Sequence, residues 1–269
     1  MIVHNFDPVL IDLGLFQIRW YSIAYILGII IGWIYAIKII KLTGKNKYNF
    51  EQITTSQLDG LIVYIVIGII LGGRLGYVTF YNFEYYSQNP YEIIKLWQGG
   101  MSFHGGLLGV IISIIFFSKK TKTNFFKFAD IVSCVAPIGI FLGRIANFIN
   151  GELYGKISTL PWAVIFPNGG SMARHPSQIY EAILEGIILF TLINYFALKK
   201  KLLFKTGCIS GLFLVSYSIL RMLSEIFREA DIHLGLFFNY FSLGALLSLI
   251  TLTAGLIIFL SIKKNEQNN

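Results

Sequence analysis

Charge is scarce in this chain. Of its 269 residues only 13% are Asp, Glu, Lys or Arg, against about 25% in a soluble domain. That shortage excludes a water-exposed globular protein of this length. Cysteine is almost missing as well: the two present, Cys134 and Cys208, both fall in apolar segments. They read as small core residues, and neither a disulfide framework nor a cysteine metal site is expected. No basic region precedes an apolar core at the first residues, so no cleavable signal peptide is expected. There is no soluble domain, no low-complexity linker and no clear internal repeat.

What fills the chain instead is apolar. Hydrophobic residues make up 55% of it and the mean hydropathy is +0.66. Seven segments lie near the roughly 20 residues that a bilayer core requires: 20–40, 58–80, 103–117, 128–149, 178–198, 207–227 and 238–262. The expected fold is an all-α polytopic membrane protein, a bundle of about seven transmembrane helices with a small extracytoplasmic loop region. The whole chain, 1–269, reads as one integral membrane domain. Within it, residues 1–19 form an arm at the interface, and 81–102 and 150–176 form the extracytoplasmic loops.

Seven spans put the termini on opposite sides. Fourteen of the sixteen lysines then fall on one side, beside span ends. The positive-inside rule makes that side the cytoplasm, with the N-terminus outside and the C-terminus inside. The net charge of +8 and the pI near 9.3, taken alone, point to nucleic acid. A surface for that partner would not be so sided, and none is expected. All six arginines (Arg19, Arg74, Arg144, Arg174, Arg221 and Arg228) fall on the outer side or in the outer halves of spans. Lysine serves topology here. Arginine, with its rigid fork of donors, is gathered where an anionic ligand is within reach.

The polar residues concentrate in a few stretches. Residues 143–155 bring Arg144, Asn147, Asn150 and Glu152 together where the fourth span runs out, with Arg144 about one helical turn inside its end. Arg144 alone would read as a snorkelling residue, but a snorkelling residue needs no polar company. On the sixth span Tyr217, Arg221, Glu225 and Arg228 are spaced i, i+4, i+8 and i+11 and share a face. Arg221 there lies about 10 Å below the span end, where a charge costs at least about 2.5–3.5 kcal/mol. Pairing with Glu225 offsets part of that cost. A structural ion-pair ladder is the plainer reading; a functional site is the sharper one.

Gln178, Glu181 and Glu185 make a polar stripe on the fifth span and are candidate arginine partners. Asp130, near the inner end of the fourth span, has no evident intramembrane partner of the kind an aspartyl protease needs. His104 opens the third span after Ser102, and a pKa near 6.5 suits a histidine to proton transfer at neutral pH. His4 and His233 read as interfacial histidines without a task. On the first span Tyr21, Tyr25, Gly28 and Gly32 share a face, and Tyr25 either lends its hydroxyl to the polar cavity or belongs to the aromatic belt. Small residues four apart (Gly68, Gly72 and Gly76; Gly105, Gly109 and Ser113) read as helix packing in lipid.

Taken together, these motifs resemble the bacterial prolipoprotein diacylglyceryl transferases. Residues 143–155 carry the most specific match. His104-Gly105-Gly106, His175-Pro176-Ser177-Gln178 with Tyr180-Glu181, the Tyr217/Arg221/Glu225/Arg228 face and Arg19-Trp20-Tyr21 follow in the family's order. The resemblance covers roughly residues 8–262; Ala146 stands where many members have glycine, still a small residue. It implies transfer of the diacylglyceryl group of phosphatidylglycerol to the lipobox cysteine of prolipoprotein signal peptides, forming a thioether and releasing glycerol 1-phosphate. It places the protein in the bacterial plasma (inner) membrane with its active site toward the outer leaflet, in contact with membrane lipid and with no cofactor.

On this resemblance His104 is the candidate base, and Arg144 and Arg221 grip the lipid phosphate. Asn147, Glu152, Tyr217, Glu225, Arg228 and Tyr25 line the site, and Gly155 allows a tight turn beside it. The rival readings are a transporter, which calls for repeats and helices broken at mid-membrane, and an intramembrane protease, which calls for paired aspartates or a serine and histidine brought together.

Overall fold

The computed structural model describes residues 2–14, 17–43, 53–229 and 243–267. His233, Lys45, Lys47 and the start of the seventh span at Phe238 lie outside the described residues. Short strands open the chain: β1 (Ile2–Val3), β2 (Val9–Asp12) and β3 (Gln17–Arg19). Then come α1 (Trp20–Thr43), α2 (Thr55–Phe80), the short α3 (Phe83–Gln88), α4 (Phe103–Thr121) and α5 (Phe125–Ile149). A two-residue strand, β4 (Val164–Ile165), sits in the next loop. The rest is α6 (Ser177–Lys199), α7 (Cys208–Glu225) and α8 (Leu243–Gln267).

Seven of these helices, all but α3, are long and apolar enough to cross a membrane, among the described residues. They match the expected spans to within a few residues. The third span runs one turn further than expected because Lys119 and Lys120 belong to its last turn, where cations complement the helix dipole. Helix starts follow local chemistry. Thr54 and Gln57 form a reciprocal capping box at α2, and the Ser102 hydroxyl accepts from the Gly105 amide at 3.2 Å at the start of α4. Both satisfy amides that a helix leaves unpaired.

The chain divides into two compact units, residues 39–129 and residues 1–38 with 130–269. In the first, α2 lies on α4 through the expected glycine stripes. A Cβ on Gly76 would fall 2.7 Å from the Gly105 Cα, and one on Gly72 would fall 2.9 Å from the Gly109 Cα. Backbones this close exclude any side chain, as small-residue packing in lipid requires. The Ser113 hydroxyl donates to the Tyr64 carbonyl at 2.8 Å across the same contact. The loop after α2 is tied down by Arg74. Buried at 3% exposure, it donates to the carbonyls of Glu92 (2.6 Å), Ile93 (2.7 Å) and Gly99, and lies over the Tyr86 ring. Arg74 therefore holds the protein's own backbone rather than waiting for a ligand.

In the second unit the first residues do more than lie along the chain. β1 pairs in parallel with β4, Ile2 with Val164 and Val3 with Ile165, while β2 and β3 form an antiparallel pair. His4, read from sequence as interfacial, is instead 4% exposed. Its Nε2 bonds the Phe148 carbonyl at the end of α5 at 2.7 Å, and its ring packs against Phe6, Phe148 and Phe166.

Asp130 likewise has partners that its own neighbourhood in sequence does not show. Its carboxylate accepts from the Gly207 amide (2.6 Å), the Ser210 amide (2.7 Å) and the Ser210 hydroxyl (2.6 Å). An acid placed on the orphan amides of a helix N-terminus is favourable; here it fastens α5 to the start of α7.

Candidate active site

The C-terminal end of α5 makes the first wall of the site. After Ile149 the chain turns through Gly151 (φ 65°) and Leu153 (φ 58°). The Asn147 side-chain amide donates to Glu152 Oε1 at 2.8 Å and that of Asn150 does so at 3.4 Å. Gln178, fully buried at the start of α6, donates to the Glu152 carbonyl at 2.5 Å. The Ser177 hydroxyl donates to the Leu153 carbonyl at 2.9 Å. The two asparagines and the glutamate thus brace the corner that ends α5.

Gly155 contributes otherwise than expected. Its φ is not positive, so it is not needed for a tight turn. It is needed for close approach: a Cβ there would lie 2.7 Å from the His175 Cβ and 2.9 Å from the His175 carbonyl oxygen. The absent side chain lets residue 155 bridge to Arg228 across the strand-like contact at the end of α7.

Beneath this corner lies a buried ion-pair ring. Glu181 and Glu185 on α6 are both 0% exposed, and they fall at the start of a π-helical stretch over Ala182–Ile188, a distortion often found at functional sites. From α5, Arg144 places Nη1 at 3.0 Å from Glu181 Oε2 and Nη2 at 2.9 Å from Glu185 Oε2. From α7, Arg221 places Nη1 at 3.3 Å from Glu181 Oε1 and Nε at 3.8 Å from Glu185 Oε1. Each carboxylate therefore divides its two oxygens between the two arginines.

Around the ring, Arg221 also pairs with Glu225, one turn further along α7, at 2.6 Å. Arg228 pairs with Glu181 at 3.2 Å. The Ser224 hydroxyl lies 3.1 Å from Arg221 Nη1 and 3.2 Å from Glu185 Oε1. The Tyr217 phenol lies within electrostatic reach of Arg144, Arg221, Glu181 and Glu185. Tyr25 of α1 is within such reach of Arg144 and Glu152, and its hydroxyl is 3.5 Å from that of Tyr21.

Among the described residues three arginines face three glutamates here, so the formal charges of the ring and its two attachments cancel. A guanidinium offers five N–H donors, and the two carboxylate contacts of Arg144 use one edge of it. The arrangement can hold two guanidinium groups at fixed separation and present their remaining donors to an anion. That geometry suits bidentate recognition of phosphate or carboxylate.

The structure thus brings Arg144, Asn147, Glu152, Gly155, Tyr217, Arg221, Glu225, Arg228 and Tyr25 into one region. Not all the arginines share it. Arg174 is spent on the carbonyls of Gly169 (2.9 Å) and Gly155 (3.3 Å), on Glu229 and on the face of Tyr154. The stripe noted on the fifth span proves central, because Glu181 and Glu185 are the hub to which the arginines attach. Sequence reasoning missed Ser224; its one signal there is its place between Arg221 and Glu225.

His104 belongs to the other unit. It is exposed in the first turn of α4, with its ring 5.6 Å from that of Phe103. His175, in the loop before α6, bonds the Tyr180 hydroxyl through Nδ1 at 3.2 Å. That hydroxyl in turn accepts from the Trp162 indole at 2.7 Å. Desolvation, with Lys156 nearby, holds His175 below the usual histidine range, so it favours the neutral ring. Among the described residues no group of three or more His, Cys, Asp and Glu is arranged to hold a metal ion.

Residues 8–261 match the family model described as prolipoprotein diacylglyceryl transferase. A protein of Rickettsia canadensis (strain McKiel) is 49% identical over 255 residues, covering 95% of this chain and 96% of its own length. One of Rickettsia felis is 49% identical over 93% of this chain and 95% of its own length. One of Rickettsia bellii is 46% identical over 95% of each chain. All three are named phosphatidylglycerol–prolipoprotein diacylglyceryl transferase.

Proposed function

The chain belongs to the prolipoprotein diacylglyceryl transferase family, and on that footing we propose that Arg144 and Arg221 grip the phosphate of phosphatidylglycerol while His104 receives the proton of the attacking thiol. The protein is a multi-pass membrane transferase. It moves the diacylglyceryl group of phosphatidylglycerol onto prolipoproteins, the first step of lipoprotein maturation. Family membership replaces the transporter and protease readings.

The chemistry follows from the groups involved. The acceptor is the thiol of the lipobox cysteine. A free thiol has a pKa near 8.5 and is mostly protonated at pH 7, so a base raises its reactivity. The sulfur attacks the glyceryl carbon that bears the phosphate. A C–S bond forms, the C–O bond to phosphate breaks, and the electron pair leaves on the phosphate oxygen as glycerol 1-phosphate. Negative charge grows on that phosphate. Preorganised guanidinium groups in a dry site stabilise such charge at little reorganisation cost.

The observation that carries this reading is the ring itself: two arginines from different helices fixed by shared buried carboxylates. Asn147, Glu152 and Gly155 support the wall behind Arg144, and Tyr217, Glu225 and Arg228 surround Arg221. Tyr25 lines the same region from α1.

The nucleophile comes from the substrate. This agrees with Cys134 and Cys208 being buried and not joined in a disulfide, in no position to react. The reading also places the site toward the outer leaflet of the bacterial plasma membrane, with the N-terminus outside and the C-terminus in the cytoplasm. A C-terminal tag reachable only from inside intact spheroplasts supports that orientation; one labelled from outside contradicts it. The activity is tested by supplying the purified protein with phosphatidylglycerol vesicles and a lipobox peptide. Release of glycerol phosphate only when both are present is the expected result, and no release from a folded protein overturns the assignment.

A further inference from the structure

We propose that Glu185, fastened by Ser224, is a positioning residue that sets the separation of the Arg144 and Arg221 guanidinium groups. The inference rests on the phosphate-clamp reading above and deepens it.

The two buried acids of α6 are not equivalent. Glu181 is shared three ways: its Oε2 faces Arg144, and its Oε1 faces both Arg221 (3.3 Å) and Arg228 (3.2 Å). Its position is a compromise among three guanidinium groups. Among the arginines of the described residues Glu185 pairs with the two of the clamp, Arg144 through Oε2 and Arg221 through Oε1. The Glu185–Arg144 contact is the shorter, at 2.9 Å against 3.8 Å on the Arg221 side. On that looser side Ser224 takes up the slack. Its Oγ is 3.2 Å from Glu185 Oε1, 3.1 Å from Arg221 Nη1 and 2.8 Å from the Arg221 carbonyl oxygen. The hydroxyl has one hydrogen and two lone pairs, so it accepts from Arg221 Nη1 while its one hydrogen is shared between the Arg221 carbonyl and Glu185 Oε1. Both Ser224 and Glu185 are 0% exposed; no water competes for these contacts.

Charge alone argues against Glu185. The three arginines are already balanced by Glu181, Glu185 and Glu225, and a neutral site attracts an anion less than a cationic one. If charge were what mattered, removing Glu185 would strengthen phosphate binding and leave turnover intact. If position is what matters, binding persists and the chemical step suffers. Misplacing a reacting group by about 1 Å can cost on the order of 10²-fold in rate.

The test compares Glu185→Gln, Glu185→Asp and Ser224→Ala with Arg144→Lys, as full-length purified protein in phosphatidylglycerol vesicles with a lipobox peptide. Thermal unfolding serves as the control. The expected result for Glu185→Gln is kcat lower by roughly 10–10²-fold and a KM for phosphatidylglycerol that is unchanged or lower. Glu185→Asp keeps the charge but is one methylene too short for both arginines, so it should not restore kcat. Ser224→Ala should lower kcat about tenfold at unchanged KM.

If Arg144→Lys turns over normally, the clamp reading itself fails. If Arg144→Lys is slow while Glu185→Gln and Ser224→Ala both keep kcat within twofold of the parent, the clamp stands and the positioning role is overturned. Full rescue by Glu185→Asp also overturns it, in favour of simple charge balance. Should Glu185→Gln fail to fold, Ser224→Ala decides: a lowered kcat at constant KM supports the proposal, and an unchanged kcat rejects it.

Discussion

Arg144 and Arg221 bind opposite oxygens of the same two carboxylates: Glu181 and Glu185 each give Oε2 to Arg144 and Oε1 to Arg221. The four side chains close a ring across three helices. Neither arginine can shift without disturbing both acids, and neither acid is exposed to water. Removing one partner of a buried pair leaves an uncompensated charge, which is why such losses are severe. The ring is a rigid frame first, and from that rigidity follows its use for holding a phosphate.

Glu181 is the member on which the frame depends most, since Arg144, Arg221 and Arg228 all converge on it. Glu181→Leu should destabilise the protein by about 3–5 kcal/mol, the usual cost of breaking a buried pair from one side. Thermal unfolding in detergent checks this. A melting temperature within a degree of the parent would mean that the arginines find other partners.

Gly244, in the first turn of α8, lies directly against the working end of Arg221. A Cβ there would sit 3.0 Å from Arg221 Nη2 and 3.2 and 3.3 Å from the two Glu225 oxygens. In a helix Gly→Ala ordinarily stabilises by up to about 1 kcal/mol. Gly244→Ala should therefore leave the melting temperature equal or higher while lowering turnover about tenfold, because the methyl crowds the ion pair. Turnover at the parent level would show that Arg221 has room to yield.

The sequence carried the spans and the arginine-bearing faces plainly, because hydropathy and helical spacing are local signals. The stripe of Gln178, Glu181 and Glu185 was readable as arginine partners for the same reason, although its role as the hub was not. What escaped is non-local. Asp130 finds its partners 77 and 80 residues away, and His4 bonds a carbonyl 144 residues away; no window along the chain contains either pair. Gly155 was legible as necessary but not for the right cause, since a close approach to His175 and the end of α7 exists only after folding. The paired β1 and β4, two residues each, are too short to leave a periodic signal.

His104 stands exposed at the start of α4, free of any carboxylate contact among the described residues. If it is the base, His104→Gln should lower transfer by about 10²–10⁴-fold, the usual scale of general-base catalysis, with phosphatidylglycerol binding retained. Single-turnover transfer to the lipobox peptide, with lipid binding measured beside it, separates the two. Turnover near the parent level would assign the base to another group or to water.

The central claim is that Arg144 and Arg221 act as one clamp on the leaving phosphate. The direct measurement is glycerol phosphate release by Arg144→Lys, Arg221→Lys and the double variant, at matched folding. Lysine keeps the charge but loses the fork. Each single change should cost on the order of 10²-fold or more, as loss of an oxyanion donor does. The double variant should be far less than multiplicatively worse, because groups acting as a unit are not additive. Two folded lysine variants with rates near the parent would contradict the clamp.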